Sequence, residues 1–560
     1  MLRRVEFIAL VIAFLSAPDS ATSQETFVDL SAMISPEYPC TWPTGFPLFQ
    51  MDHHRRIGPH SAYNVDILCI DPNTATQMDT PPHSVPRPDS GLTGAGPAGM
   101  LYTEKIPAWQ FGGEACVIDL RKLLGAAPNG QSPLVKRADI MEWERKHRSL
   151  RFGDVVLLRT DYTDRYYKPF PEGTRFIAEP LEGKCPGWPD PDPDCMEYIA
   201  SRQVMHVGTD SPSMGPIPDL AEPTHYAGLK HGGIFTEQAT KLGNLPVTGA
   251  FYCLLSPKHV DGAYAAARAF AVVGDPLASQ LIESSREKRA LDLSVTLSAD
   301  RPVWWPGRGV GNHRQPYYRI DFLYSAGIDY WHHTHMMDSH TGTHLVPPSY
   351  ALPPTGLDKQ QYSPQVERWL AVYEKEYGPR GTSDVTTEKV PISQTCGWAR
   401  VIDVTELVGT TDQKDGPQSP EITADHVKRY EAKSGVLRPG EVVIFRSGHS
   451  DKYFKPFPEG NSCMRDPLDG KSEGWPAPGP GAIVYLATKG IRCVATDGPT
   501  LGGVDPQRAL MTYWALGSRG MVGVEFLTAA GKLPEKAYFL FAALKIRGCH
   551  GGPGRAIALY

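Results

Sequence analysis

Short runs of consecutive apolar residues alternate along the chain with segments whose apolar residues are spaced as on one face of a helix. The runs Asp154–Arg159 (DVVLLR) and Glu441–Arg446 (EVVIFR) each follow a glycine and predict buried strands. Thr423–Ser434 has helical spacing instead, with Thr423 placed as its N-cap. Interleaved strands and helices predict an α/β fold. The order of the strands in the sheet does not follow from this pattern.

The same pattern occurs twice along the chain. Asp161–Gly173 matches Gly448–Gly460, and both copies contain the letters KPFPEG. Further matches in the same order pair Val28–Ser31 with Leu291–Ser294, Gly208–Pro212 with Ala495–Pro499, and Glu237 with Glu525. Collinear matches of this kind indicate a tandem duplication. We therefore predict two homologous domains, 24–283 and 284–560, packed as a pseudo-dimer, with the polar segment 274–288 joining them without a clear apolar face.

The N-terminus has the pattern of a secretory signal. Arg3 and Arg4 precede the short apolar run Phe7–Leu15, and small residues at 21–23 offer a cleavage site. The apolar run is much shorter than the ~20 residues that span a bilayer, so we expect no stable membrane span after cleavage. Residues 1–23 are therefore predicted to be a signal peptide, and the mature chain to be secreted or periplasmic.

Charge and cysteine content narrow the partners and the covalent structure. The net charge is −6, and no long basic block is present, which argues against a nucleic-acid partner. Ten cysteines in an exported chain permit disulfides. Cys185 and Cys195 flank one loop, and the second copy has Ser472 and Ala482 in their places. Loss of both together predicts a Cys185–Cys195 disulfide, with two unrelated buried thiols as the alternative.

The residues able to carry chemistry fall in one polar segment of each copy. Asn73–His83 (NTATQMDTPPH) aligns with His340–Tyr350 (HTGTHLVPPSY). The first segment contains an aspartate and a terminal histidine, and the second contains two other histidines four residues apart. In the first copy, His225 and Glu237 also stand twelve residues apart, on an expected helix and on the strand that follows a Gly-Gly turn. Imidazole and carboxylate groups together suit zinc, manganese or iron, although each group alone is as consistent with a structural role.

Together with the closing segment Lys545–Ala558 (KIRGCHGGPGRAIA), these segments resemble the cyclase family of metal-dependent hydrolases, once in each copy. The resemblance implies two tandem cyclase-like α/β domains and a divalent metal, zinc or manganese. It also implies a small-molecule substrate cleaved at a C–N bond of an amide or cyclic amide, or at a lactone. It is compatible with a homo-oligomer.

The family's site residues are divided between the two copies. The implied metal ligands are Asp79, His225 and Glu237 in the first copy and His340, His344 and Glu525 in the second. The implied general acid/base is His83, which Tyr350 replaces in the second copy, and Trp42 and Trp305 are the implied substrate-pocket residues. The remaining family positions hold Asn73, Gln77, Val346 and Tyr513. Tyrosine, with a pKa near ~10, is a poor base at neutral pH, which favours chemistry in the first copy.

Three interpretations follow from this division. In the first, the chain is a secreted metal-dependent hydrolase in which the metal activates water and His83 passes the proton to the leaving group. In the second, it is a non-catalytic binding or scaffold protein derived from the family. In the third, the two halves contribute complementary ligands to one composite site. A closed pseudo-two-fold arrangement keeps such sites apart, so we expect Asp79 to lie far from His340.

Overall fold

The structure is a computed structural model that describes residues 26–43, 47–306, 317–325, 329–357, 361–411 and 418–560. The expected signal peptide, residues 1–23, lies outside the described residues. In the described part of the chain, no helix has the length and apolar character needed to cross a membrane.

The strands of the first half are β1 (Thr26–Asp29), β2 (Gln50–Arg55), β3 (Val65–Ile70), β4 (Gln77–Asp79), β5 (Gly112–Asp119), β6 (Leu134–Val135), β7 (Asp154–Arg159), β8 (Asp190–Pro191), β9 (His206–Thr209), β10 (Ile234–Glu237), β11 (Phe251–Leu255), β12 (Tyr264–Ala266) and β13 (Arg268–Val273). Its helices are α1 (Arg137–Lys146), α2 (Tyr162–Tyr166), α3 (Ala178–Leu181), α4 (Pro193–Ser201), α5 (Ala221–Leu229) and α6 (Leu277–Arg286).

The strands of the second half are β14 (Ala290–Asp292), β15 (Tyr318–Ser325), β16 (Asp329–Asp338), β17 (His344–Val346), β18 (Cys396–Asp403), β19 (Glu421–Ile422), β20 (Val442–Arg446), β21 (Ala477–Pro478), β22 (Cys493–Thr496), β23 (Val522–Glu525), β24 (Tyr538–Ala543) and β25 (Gly552–Leu559). Its helices are α7 (Pro364–Tyr377), α8 (Ala424–Ser434), α9 (His449–Tyr453), α10 (Arg465–Leu468), α11 (Pro480–Thr488) and α12 (Pro506–Gly517).

Each half is a mixed sheet curled into a barrel. In the second half the strand order is β14-β25-β17-β23-β22-β20-β18-β24, and the pairing of β24 with β25 closes the ring. In the first half the order is β1-β13-β11-β5-β7-β9-β10-β4-β12, and the ring is completed because Ala267 alone separates β12 from β13. Parallel strands, β5-β7-β9-β10 and β18-β20-β22-β23, form one wall of each barrel. The predicted α/β fold with two homologous domains is confirmed.

The local predictions are confirmed with small shifts. The run Asp154–Arg159 is β7, and β20 begins at Val442, one residue later than predicted. Helix α8 begins directly after Thr423, whose backbone N–H donates to Nδ1 of His426 at 3.0 Å. These segments behave as their apolar pattern requires because each lies on or against a buried wall of its barrel.

The segment joining the two halves is not the apolar-poor linker that we expected. Residues 277–286 form α6, in which Leu277, Ala278, Leu281 and Ile282 are buried on one face against the first barrel. The buried residues come as two adjacent pairs, 277–278 and 281–282, which lie one helical turn apart and form a narrow apolar stripe. The polar residues around these pairs hid the stripe in the sequence. The proposed boundary between residues 283 and 284 falls inside this helix.

The two halves exchange hairpins across a pseudo-two-fold axis. Strands β3 and β16 pair antiparallel, with Cys69 opposite Met336 and with β2 and β15 on the outside. Cys69 and Met336 are equivalent positions of the two copies, and the register is symmetric about this pair, since Ile70–His335 and Leu68–Met337 are equivalent pairs. An isologous contact of this kind is what a two-fold pseudo-dimer requires.

Two equivalent ion clusters reinforce this contact. Asp29 is paired with Arg268 of its own half at 2.9 Å and with Lys545 of the other half at 2.7 Å. In the mirror cluster, Asp292 is paired with Arg555 of its own half at 2.7 Å and with Lys258 of the other half at 2.9 Å. Each aspartate is thus held by one cation from each half. Lys258 and Lys545 are equivalent residues of the two copies, and the structure shows that each contributes to the junction with the other half.

Replacing Lys545 by Met should lower the free energy of unfolding by about 2–3 kcal/mol, measured by urea denaturation. Removing one partner of a buried pair costs about 3–5 kcal/mol, and Arg268 remains to offset part of that cost at Asp29. Lys428→Met is the matched control, because Lys428 forms an exposed pair with Asp425, and no measurable change is expected there. Equal stabilities for Lys545→Met and the wild type would contradict a role in joining the halves.

The predicted disulfide is not present. Cys185 and Cys195 are both free thiols in the structure. Cys195 is on α4 and is fully buried in the core with Ile140 and Met196, whereas Cys185 is on the preceding loop near Arg175. The paired substitution in the second copy therefore reflects two separate environments.

Candidate functional site

In the first half, the pairing of β4 with β10 brings the polar segment onto Glu237. Gln77 lies directly opposite Glu237 in the antiparallel register. Asp79, two residues further along β4, projects on the same side as Gln77 because side chains alternate along a strand. His225 is on α5, and the chain returns from that helix to β10 through Gly232, whose φ of +82° is accessible to glycine at little cost.

His225 stands between two carboxylates. Its Nε2 atom is 3.2 Å from Oε1 of Glu237 and 3.6 Å from Oδ2 of Asp79. Its other nitrogen, Nδ1, is 2.8 Å from the carbonyl oxygen of Ala221, to which it donates in the neutral tautomer. That hydrogen bond fixes the ring and directs Nε2 at the two carboxylates, which is the orientation of a metal-ligating histidine.

The buried charges shift one another's pKa values. Burial by itself raises the pKa of Asp79, but the neighbouring His83 and His225 outweigh it and hold that pKa below its usual value. Burial, and then repulsion from Asp79, raise the pKa of Glu237 to about 7. Burial lowers the pKa of His225, yet the two carboxylates outweigh it and raise that pKa well above its ordinary value. The site therefore attracts positive charge.

Asp79 is the site residue whose carboxylate oxygens have the fewest hydrogen-bond donors. Its side chain is fully buried, and among the described residues neither carboxylate oxygen receives a conventional hydrogen bond. The ion pair with His225 at 3.6 Å offsets part of the cost of burying this carboxylate, and a bound metal ion would offset more. Asp79, His225 and Glu237 supply an oxygen, nitrogen and oxygen donor set that fits zinc or manganese. The residues present thus fit the metal that the resemblance implies.

His83 lies at the edge of this group. Its ring centre is 5.2 Å from that of His225 and 4.6 Å from that of Tyr264. Burial lowers the pKa of His83, although Asp79 acts in the opposite direction. A nitrogen of His83 also lies within 4.8 Å of ligand atoms of Asp79 and His225. Geometry therefore allows His83 either as a base or as a further ligand.

The second half builds a related but different arrangement. His344 lies opposite Glu525 in the β17–β23 register, where the first half has Gln77 opposite Glu237. Nε2 of His344 is 3.1 Å from Oε2 of Glu525, and the hydroxyl of Tyr513 donates to Oε1 of the same carboxylate at 2.7 Å. In each half, one histidine contacts the glutamate, and a donor of another residue type occupies the position at which the other half has its histidine. In the first half that donor is Gln77, whose Nε2 is 2.5 Å from Oε2 of Glu237.

A tyrosine from the first half enters the second-half site. Tyr63 precedes β3 and stacks on Tyr350, with ring centres 4.7 Å apart, and it meets Tyr513 edge-on at 5.9 Å. His340 lies on the other side of Tyr350, at 4.5 Å between ring centres. Aromatic rings therefore fill the space in which the first half holds His83 and His225.

The two sites are built separately. The described contacts of Asp79 are with His83, His225 and Glu237, and those of His340 are with residues of the second half. Among the described residues, the first-half group that brings three ligand atoms within 4.8 Å of one another is Asp79, His83 and His225, to which Glu237 adds a contact with His225 at 3.2 Å. In the described part of the chain, His340, His344 and Glu525 form no such group. This geometry favours two separate sites over a composite one.

Each of the two predicted pocket tryptophans packs against another tryptophan. Trp42 packs edge-on against the buried Trp188 at 6.1 Å, and Trp305 packs in the same way against Trp475. Sequence reasoning missed Asp190, a fully buried acid whose Oδ1 accepts a hydrogen bond from Ser211 at 2.8 Å. Burial, with Glu237 nearby, raises its pKa well above the usual value. In the self-alignment, Asp190 corresponds to Ala477 of the second copy. This difference between the copies could have indicated that the acid belongs to the first-half site alone.

The fold and the two related sites define a duplicated α/β barrel protein. The family model named Cyclase matches residues 28–216 and 291–502, so the chain belongs to that family and carries its domain twice. Isatin hydrolase of Roseibium aggregatum is 30% identical over 175 residues, which cover 29% of this chain and 64% of that protein, slightly less than two thirds of its length. Kynurenine formamidase of Salinibacter ruber is 26% identical over 43% of this chain and 93% of its own. The solved structure of isatin hydrolase A from Ralstonia solanacearum is 19% identical, covers 51% of this chain and 98% of its own, and has a TM-score of 0.36.

Proposed function

We propose that the first half is a metal-dependent hydrolase of a small amide, cyclic amide or lactone, and that the second half supports it without catalysing the reaction. The observation that carries this proposal is the fully buried Asp79 carboxylate, with no conventional hydrogen bond, beside the oriented Nε2 of His225. The related isatin hydrolase and kynurenine formamidase support the substrate class. On the evidence of the N-terminal pattern, we further propose that the mature chain is exported.

The chain's residues have distinct roles in this proposal. Asp79, His225 and Glu237 would hold the metal, zinc or manganese, which when bound polarises a carbonyl group and lowers the pKa of water. A ring nitrogen of His83 would take the proton from the attacking water and deliver it to the leaving nitrogen or oxygen. The hydrogen bond from Nδ1 of His225 to Ala221 keeps Nε2 of His225 directed at the ion.

A second candidate is a metal-free binding protein. The amide of Gln77 donates to Oε2 of Glu237, and the backbone N–H of Met214 donates to Oε1. These bonds occupy part of the bonding capacity that a metal would use. They favour a site that binds a small molecule without an ion.

The decisive experiment measures metal and turnover together. The full chain is stripped with a chelator and loaded with Zn²⁺ or Mn²⁺, and bound metal is counted by elemental analysis. Turnover is then followed with isatin, an arylformamide and a small lactone. Loss of one metal equivalent in the Asp79→Asn variant, together with hydrolysis of one of these compounds by the wild type, supports the hydrolase. A folded wild type that hydrolyses none of them and whose metal count Asp79→Asn leaves unchanged supports the binding protein instead.

Replacing Tyr513 by Phe should lower the stability of the protein without changing its turnover. The substitution removes the hydroxyl donor of the buried Glu525, and a lost hydrogen bond to a charged group costs about 1.5–3 kcal/mol of unfolding free energy. Turnover by the folded variant should remain that of the wild type, because the chemistry is assigned to the first half. A loss of turnover at unchanged stability would place catalysis in the second half.

A further inference from the structure

Three polar side chains meet where the halves join, and none of them belongs to the first-half site. His53 and Asp66 are on the exchanged hairpin β2–β3, and His550 is in the closing segment of the second half. Nδ1 of His53 is 2.8 Å from Oδ1 of Asp66, and Nδ1 of His550 is 3.0 Å from Oδ2. Ligand atoms of all three residues lie within 4.8 Å of one another.

The backbone of β2 is irregular at this point. The β2–β3 register shifts between Asp52 and Arg55, so His53 and His54 fall within a bulge opposite the residues around Asp66. A bulge of this kind re-aims a side chain relative to a regular strand. Here His53 reaches Asp66, while the neighbouring His54 is exposed.

The charge and donor types suit a divalent ion. The Asp66 side chain is fully buried, and a buried carboxylate requires a compensating positive charge. Two imidazoles and one carboxylate form a three-ligand set that zinc accepts, with a fourth position left open. Ligand atoms around a tetrahedral zinc are about 3.3 Å apart, given bonds of about 2.0 Å. The two histidine–Asp66 separations of 2.8 Å and 3.0 Å therefore require only a small expansion, and the third separation lies within 4.8 Å.

We infer that Zn²⁺, or a similar borderline divalent ion, binds His53, Asp66 and His550 and fastens the first-half hairpin to the second half. Arg56 supplies positive charge when no ion is bound, because its Nη2 donates to Oδ1 of Asp66 at 3.1 Å. The Arg56 side chain is 38% exposed and can turn into solvent when the ion binds. His53 is 52% exposed, so the cluster is accessible from solvent on that side.

The test compares neighbouring histidines in the full chain. The Asp79→Asn variant, which lacks a proposed ligand of the first-half site, is stripped with a chelator and titrated with Zn²⁺ by calorimetry. One zinc should still bind to this variant, at His53, Asp66 and His550. Adding His53→Ala should weaken that binding by at least about 100-fold, the upper range for altered metal surroundings, whereas adding His54→Ala should leave it unchanged. Adding Arg56→Ala should tighten it, because a competing cation is removed.

The stability readout provides a second measure. Zn²⁺ should raise the Tm of the His54→Ala variant but not that of the His53→Ala variant, because binding to the folded state alone stabilises it. His53 is more than half exposed, so its replacement should leave the fold intact. Equal zinc affinity in the His53→Ala and His54→Ala variants would overturn the inference. Zinc that still bound at the first-half site despite Asp79→Asn would appear as a second equivalent in both variants, so failure of the proposed function is distinguishable from failure of this inference.

Discussion

Replacing Asp79 by Asn should remove the metal equivalent bound at the first-half site and lower kcat/KM by about 1000-fold or more. A catalytic metal ion contributes several kcal/mol of transition-state stabilisation, and each 1.36 kcal/mol corresponds to a factor of ten. Asparagine keeps the shape of the side chain but removes the charge that would hold the proposed ion beside His225. Elemental analysis and kinetics with the responsive substrate measure the two effects.

The stability of Asp79→Asn distinguishes loss of metal from loss of fold. In the metal-free protein, the neighbouring His83 and His225 outweigh burial and hold the pKa of Asp79 below its usual value, so the fold stabilises the ionised form of Asp79. The metal-free variant should therefore fold but be somewhat less stable than the metal-free wild type at neutral pH, because relief of the repulsion on Glu237 offsets only part of that loss. His340→Ala is the control in the second half and should retain turnover. Full activity in Asp79→Asn would exclude Asp79 as a ligand.

Replacing His83 by Ala should lower kcat by about 10²–10⁴-fold while the metal content stays that of the wild type. That range is the usual contribution of a positioned acid/base group. Metal counting is essential here, because the distance of His83 from Asp79 and His225 also permits ligation. Tyr350→Phe is the matched control at the equivalent position of the second half, and it should not alter turnover.

Two results would revise the assignment of His83. Loss of the metal in His83→Ala would make His83 a ligand and leave the proton transfer to another group. Wild-type kcat in His83→Ala would remove it from the mechanism altogether. Both results are distinguishable from unfolding, because His83 lies at the end of a short turn after β4 and does not pair in the sheet.

The sequence was most informative where one residue type permits one backbone arrangement. The apolar runs at 154–159 and 442–446 became central parallel strands, and the spacing of His225 and Glu237 correctly indicated a helix, a Gly-Gly turn and a strand. Gly342, at a φ of +63° and against Leu297, explains why the His340–His344 segment is irregular. These features are local, so their signal lies within a few consecutive residues.

The sequence was least informative where the outcome depended on residues far apart in the chain. The stripe of α6 and the separate environments of Cys185 and Cys195 are set by the surfaces on which these residues pack. Tyr63, Lys258 and Lys545 act on the other half, and no pattern in their own segment reveals that. Long-range contacts of this kind are fixed by how the barrels associate.

The sequence alone determined the duplication, the α/β class and the unequal loss of site residues, because each is visible by aligning the chain with itself. Only the tertiary structure decided what those losses mean. It showed that Gln77 and Tyr513 donate to the glutamates in place of histidine, and that Tyr63 fills the second-half site from the other half. The physical reason is that a buried carboxylate must be satisfied by whichever donors the folded chain brings within reach.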